Sequence, residues 1–187
     1  MKKGMENRYC AIMISMRSTF FFLLLFSIKL LGFPNESKNT NQKLLLNGVG
    51  LKEVTIFKID VYKAAFYLPK KTSKLEEVNA LFPKVISINF LRDISFNDLR
   101  DTLERGLKKY DIYTKKNVDS IENWKNVIPK ITNGTTLKII FTKNSLILEY
   151  KGKRDVINNA PLAQKFHLLW VGNKSDIQLR TGMLNIK

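Results

Sequence analysis

Arg92 ends a run in which Ile86, Ile88 and Phe90 alternate, so a strand of period two would put its guanidinium on the same face, at the edge of an apolar core. A charge in that place needs a partner. One candidate is Asp93 or another carboxylate in a structural ion pair. The other is the anionic head of a ligand, which arginine can hold through two parallel hydrogen bonds. Tyr62 and Tyr67 stand in the preceding extended run, where a phenol either bonds to backbone at a sheet edge or points into a cleft, packing being the commoner fate. His167 is the single histidine and lies in the apolar stretch 166–170, so no His-rich metal site or Ser-His-Asp triad can be assembled. It reads as a packed or surface histidine of a helix. Gly48 and Gly50 make a Gly-x-Gly without the third glycine or the following helix of a dinucleotide fingerprint, and read as a tight entry to the first strand. With no Walker-type loop and no nucleic-acid module, neither a cofactor, a metal nor a nucleic-acid partner is expected.

The elements that must hold these side chains are legible from spacing. After a turn at Asn47-Gly48 and Gly50, residues 51–57 and 58–68 are rich in β-branched and aromatic side chains and read as strands. A short helix fits 73–81, stopped by Pro83, and 85–92 reads as a buried strand. Ser95 caps a helix with Asp98 three residues on, and Phe96, Leu99, Leu103, Leu107 and Tyr110 fall at helical spacing. A second helix is expected from Asp119, turning Ile121, Trp124, Val127, Ile128 and Ile131 inward and ending by Asn133-Gly134. Residues 135–142 and 145–150 alternate and form a hairpin across Lys143-Asn144, before helical stretches from about Pro161 to Gly172 and from about Asp176. Strands that follow one another, with helices between and after them, predict an α+β fold with an antiparallel sheet backed by helices on one face.

The chain has 187 residues, 44% of them hydrophobic, enough for one packed domain. Its first 33 residues differ from the rest. Lys2, Lys3, Arg8 and Arg17 precede an apolar run at 19–26 that Lys29 interrupts, the layout of a signal peptide too short to span a bilayer, with Met16 as an alternative start. Export to the periplasm or the exterior is the expectation. Cys10 lies ahead of the run, which leaves the exported part without thiol chemistry. Residues 34–42 are polar and read as a flexible tether, and the domain is expected over 43–187. Of 32 lysines and arginines, five fall in the leader, so the net charge of +16 belongs mainly to the domain. The lysines are spread along the chain and interleaved with acids, as in Lys52-Glu53, which reads as a solvated surface.

Taken together, residues 46–52 (LNGVGLK), 57–69 (FKIDVYKAAFYLP), 88–95 (INFLRDIS), 163–172 (AQKFHLLWVG) and 179–184 (LRTGML) resemble the bacterial branch of the chalcone isomerase-like proteins, over about residues 43–185. The resemblance implies an open-faced β-sandwich, a large antiparallel sheet backed by helices with a ligand cleft between them. In the plant isomerases an arginine and a threonine hold the substrate and its oxyanion, and a tyrosine and an asparagine complete the cleft. This sequence has Lys52 where that arginine stands, Tyr62 for the threonine, Phe96 for the tyrosine and Leu103 for the asparagine. Lysine lacks the planar fork of arginine, and Phe96 and Leu103 donate no hydrogen bond, which removes most of the polar machinery.

Members of this fold without the enzyme's residues include fatty-acid-binding proteins that hold a carboxylate with an arginine and a tyrosine. By that analogy Lys52, Tyr62 and Arg92 are candidate ligand-binding residues, and Phe96 and Leu103 candidate cleft-lining ones. The expected function is therefore an exported, non-catalytic domain that binds a small amphipathic carboxylic acid or an envelope protein partner. One alternative is an isomerase or lyase on another substrate, with Lys52 and Tyr62 as acid, base or oxyanion groups. Another is a basic module in peripheral contact with anionic lipid.

Overall fold

The computed structural model describes residues 32–37, 42–54 and 58–186. The leader expected over 1–33 lies outside these residues except for its last two positions, as do 38–41 and 55–57. From Pro34 the chain forms one compact unit.

Seven strands make a single antiparallel sheet whose spatial order follows the chain. They are β1 (Glu36–Ser37), β2 (Leu44–Val54), β3 (Ile59–Leu68), β4 (Lys84–Phe90), β5 (Thr136–Phe141), β6 (Ser145–Tyr150) and β7 (Lys153–Asn158). Helix α1 (Leu75–Ala80) links β3 to β4, while α2 (Phe96–Lys109) and α3 (Val118–Val127) lie between β4 and β5. After β7 come α4 (Ala160–Lys165), α5 (Leu168–Val171) and α6 (Ile177–Met183). The period of two decides which side chains meet the helices. Ala64, Phe66 and Leu68 of β3, Ile86, Ile88 and Phe90 of β4, and Leu137, Ile139 and Phe141 of β5 form one core with Leu103 and Leu107 of α2, Trp124 of α3 and Leu179 and Met183 of α6. The class is α+β, an antiparallel sheet with its helices on one face.

The helix starts follow capping chemistry. Ser95 accepts from the Asp98 amide at 3.1 Å and donates to its carboxylate at 2.6 Å, while Asn159 and Asp176 accept from the amides of Leu162 and Leu179. Several expectations need correction. Asn47-Gly48 is not a turn: it lies within β2, where a register shift between Leu46 and Gly48 leaves Asn47 as the extra residue of a bulge. Its side chain donates to the Met183 carbonyl at 2.9 Å and accepts from the Thr72 amide at 2.8 Å, tying α6 and the approach to α1 to the strand. The segment read as a tether supplies β1, which pairs with Leu44 and Leu45, because edge pairing satisfies its backbone whatever its side chains are.

The strand read over 85–92 ends at Phe90, and the helix expected from Asp119 starts one residue earlier, after Asn117, whose amide bonds the Ile112 carbonyl instead of capping. Val127 is the last residue of that helix and is exposed, since the chain leaves helical geometry there and Ile128 and Ile131 are buried by an extended segment. Strand β7 was unforeseen, because its alternation Lys153-Arg154-Asp155-Val156 puts no apolar stripe in the sequence.

Candidate functional site

Register builds the first wall. Lys52, Tyr62 and Phe90 are direct neighbours across β2, β3 and β4, and Tyr62 meets Phe90 edge to face with ring centroids 5.6 Å apart. The second wall is α6, which lies close against β2 because the strand has glycines where they meet. A methyl group at Gly48 would collide with the Gly182 carbonyl, and one at Gly50 with that of Leu179. This close approach brings Asp176, the N-cap of α6, within 2.8 Å of the Lys52 ammonium. Partial burial pushes the Asp176 carboxyl up, but the hydrogen bonds from Lys52 and the Leu179 amide outweigh it and hold the group below the usual carboxylate range.

Helix α2 forms the roof. Leu99, Thr102, Leu103, Gly106 and Lys109 recur at intervals of three and four and present one face to the sheet. From Ser95 to Lys109 this face runs about 20 Å. Between it and the sheet lies a cavity of about 490 Å³, walled by Ile88, Phe90, Leu137, Ile139, Trp170 and Leu179 and open at a rim where Arg92, Asp93, Asp98, Lys174 and Asp176 stand. An apolar interior with a few polar groups at one side is the usual form of a small-molecule site.

Of the candidates, the cavity brings together Lys52, Tyr62, Arg92 and Leu103. Leu103 is buried among the apolar walls. Phe96 is not in the lining: it opens α2, is 41% exposed and lies beneath the Arg100 guanidinium at 5.2 Å, because the helix turns its first residue away from the sheet. Lys52 is committed to Asp176. Burial pushes the Tyr62 phenol well above its ordinary value, against a smaller opposing influence of a hydrogen bond from Trp170, so it stays protonated and can donate. Arg92 is exposed at the rim beyond the end of β4, not on the apolar face of the strand. Asp93, the partner considered for it, instead accepts from the Asn133 amide at 2.8 Å. Among the described residues Arg92 joins no ion pair or hydrogen bond.

Asp176, Trp170, Tyr110 and Thr102 are lining residues that sequence reasoning missed. Asp176 carries a readable cap signal, but its pairing with Lys52 across 124 positions exists only in the folded chain. Tyr67 takes the packing role, its phenol donating to the Pro34 carbonyl at 3.0 Å. His167 is buried away from this lining, 2.9 Å from the Asn79 amide oxygen, with burial and then the Lys84 charge holding its pKa down to about 3.

Fold and site together define a curled antiparallel sheet with a ligand-sized cavity beneath its helices. A family model described as chalcone isomerase-like matches residues 26–185, and the chain belongs to that family. No curated protein matches the sequence. Among solved structures, the crystal structure of a fatty-acid binding protein from Arabidopsis thaliana shares the fold with a TM-score of 0.61, at 16% identity over 82% of this chain and 91% of that one.

Proposed function

We propose that the domain is a non-catalytic carrier of a small amphipathic carboxylic acid of the fatty-acid class, held with its chain along α2 and its carboxylate at the rim. The observation that carries this reading is Arg92, which joins no ion pair among the described residues, at the open side of an elongated, apolar cavity. An arginine without a carboxylate of its own supplies a planar pair of donors for one brought by a ligand. Tyr62 adds a donor that burial keeps protonated. Lys52 serves differently: bound to Asp176, it fastens α6 to β2 and shapes the wall. The fatty-acid binding protein of the same fold supports the choice of ligand class. The basic residues ahead of the apolar run at 19–26 support export as the route to its place of work.

Native mass spectrometry of the purified protein, before and after addition of palmitate, tests the reading. A stoichiometric adduct is expected, weakened about tenfold or more by Arg92→Ala and less by Tyr62→Phe, as loss of a charge-assisted and of a neutral hydrogen bond predicts. A protein that takes up neither palmitate nor shorter acids removes the carrier function.

A further inference from the structure

Large apolar side chains left in water are scattered on most proteins, so their position matters more than their presence. Here several flank the cavity opening. Val54 lines the cavity and is 38% exposed, and Ile59, its register partner across the β2–β3 hairpin, is 40% exposed. Phe96 follows the lining residue Ser95 directly, and Ile177, 72% exposed, follows Asp176. These four come from three separate elements, the hairpin, α2 and α6, and none is needed to fill the core. Cations stand near them: Arg92, which joins no ion pair among the described residues, Arg100, stacked on Phe96 and 3.5 Å from Glu122, and Lys174, which donates to the Lys109 carbonyl at the other end of α2. Of the acids near the rim, Asp176 is paired with Lys52, Asp98 and Asp93 keep their charge while accepting from Ser95 and the Asn133 amide, and Glu53 and Asp60 are register partners beside Val54 and Ile59.

We infer that the rim of the cavity docks on an anionic lipid bilayer, with Phe96, Ile177, Val54 and Ile59 entering the headgroup layer and the cavity opening facing the membrane. Separate apolar tips interleaved with cations suit a headgroup layer, which offers no fixed partner surface and tolerates irregular spacing. A protein partner would instead require a continuous apolar centre that excludes water. Of the chain's +16 charge, the leader's five basic residues and one acid account for +4, and the remaining +12 supplies the attraction that brings the domain to a negative surface. The inference rests on the exposed rim, not on the identity of any ligand.

The test is co-sedimentation of the full chain with vesicles of phosphatidylcholine alone and of phosphatidylcholine with phosphatidylglycerol. Phe96→Asp combined with Ile177→Asp removes two of the apolar tips. Both residues open a helix, where an acidic side chain is well tolerated. Val156→Asp combined with Ile186→Asp, at two exposed apolar residues outside the lining, controls for the two added charges. The expected result is association with the phosphatidylglycerol vesicles that the rim double variant weakens about tenfold or more, the loss of two embedded side chains, while the control double variant binds nearly as the parent does. The leader is common to all three proteins, so a contribution from it cancels. Equal association of parent and double variant overturns the inference, as does a parent that stays in the supernatant. Palmitate uptake measured without vesicles separates the two proposals: a double variant that keeps uptake but not docking, or the reverse, shows which one stands.

Discussion

At the scale of single residues, the least expected group is Lys84. It is fully buried at the start of β4, its ammonium 3.6 Å from the centroid of the Phe82 ring and 3.3 Å from the Asn79 carbonyl, with no carboxylate paired to it among the described residues. Burial pushes its pKa down to about 7. A base whose folded pKa is depressed binds fewer protons folded than unfolded between the two pKa values, so stability falls with falling pH across that window. The cost is absent above about pH 10.5, grows as pH falls towards 7 and is constant below that. Lys84→Met, which keeps the stem packed and removes the charge, is therefore expected to stabilise the domain by a few kcal/mol at neutral pH. The gain should fade above pH 9. Urea unfolding of parent and variant across that range checks it, and a variant less stable at pH 7 would mean that the ring contact outweighs desolvation. Nothing in the sequence marks Lys84 as buried, since its environment is made by α1, the Phe82 ring and His167 folding over it. Arg92, by contrast, was legible as a charge in need of a partner and a candidate for a ligand's carboxylate, though its place at the rim depends on where β4 stops.

Elements set the shape of the cavity more than the lining residues do. Helix α6 can form the wall only because β2 carries Gly48 and Gly50 opposite it and α6 itself carries Gly182, which faces the Val49 carbonyl. Gly50→Ala is expected to cost about 1–3 kcal/mol, the usual penalty of overpacking, and to weaken palmitate binding at the same time, because the methyl pushes away the helix that holds Asp176 and Leu179. Thermal unfolding and a binding titration read the two effects. A variant with lower stability and unchanged binding would show that α6 does not shape the site. The two glycines were visible as a motif and misread as a turn: their φ angles are ordinary for a strand, and the reason for them, a helix more than 120 residues away in sequence, is tertiary. The strands and helices that bury a regular apolar face, β3, β4 and α2, were legible because the period of burial is printed in the residue order. β1 and β7 were not, since an edge strand is held by backbone bonds that any side chain permits.

The molecule as a whole depends on a charge network that joins the cavity roof to its neighbour. Lys125 of α3 is 3% exposed and reaches Glu104 of α2 and Glu122 of its own helix, each at 2.8 Å, while Arg100 and Tyr113 also contact Glu122. Burial alone would push Lys125 down, yet the two carboxylates outweigh it and hold its pKa above the ordinary value. In return Lys108, and after it Lys125, draw Glu104 down to about 2, and Lys125 with Tyr113 holds Glu122 low. Carboxylates with depressed folded pKa values contribute stability that is complete above the unfolded value near 4.5 and is lost as pH falls through the folded one. The domain is therefore expected to lose stability from about pH 5 down towards 2, a loss reinforced by self-repulsion as acids protonate on a chain already at +16. Glu104→Gln combined with Glu122→Gln should be less stable than the parent at pH 7, where the buried ammonium has lost its partners, and should show a flatter decline below pH 5. Because α2 is the roof of the cavity, palmitate affinity should fall in the same variant at pH 7, which stability alone would not demand of a folded protein. Chemical unfolding at several pH values together with a titration of the folded variant decides the matter: an unchanged slope would place the acid sensitivity elsewhere, and unchanged affinity would show that α3 does not hold the roof in position.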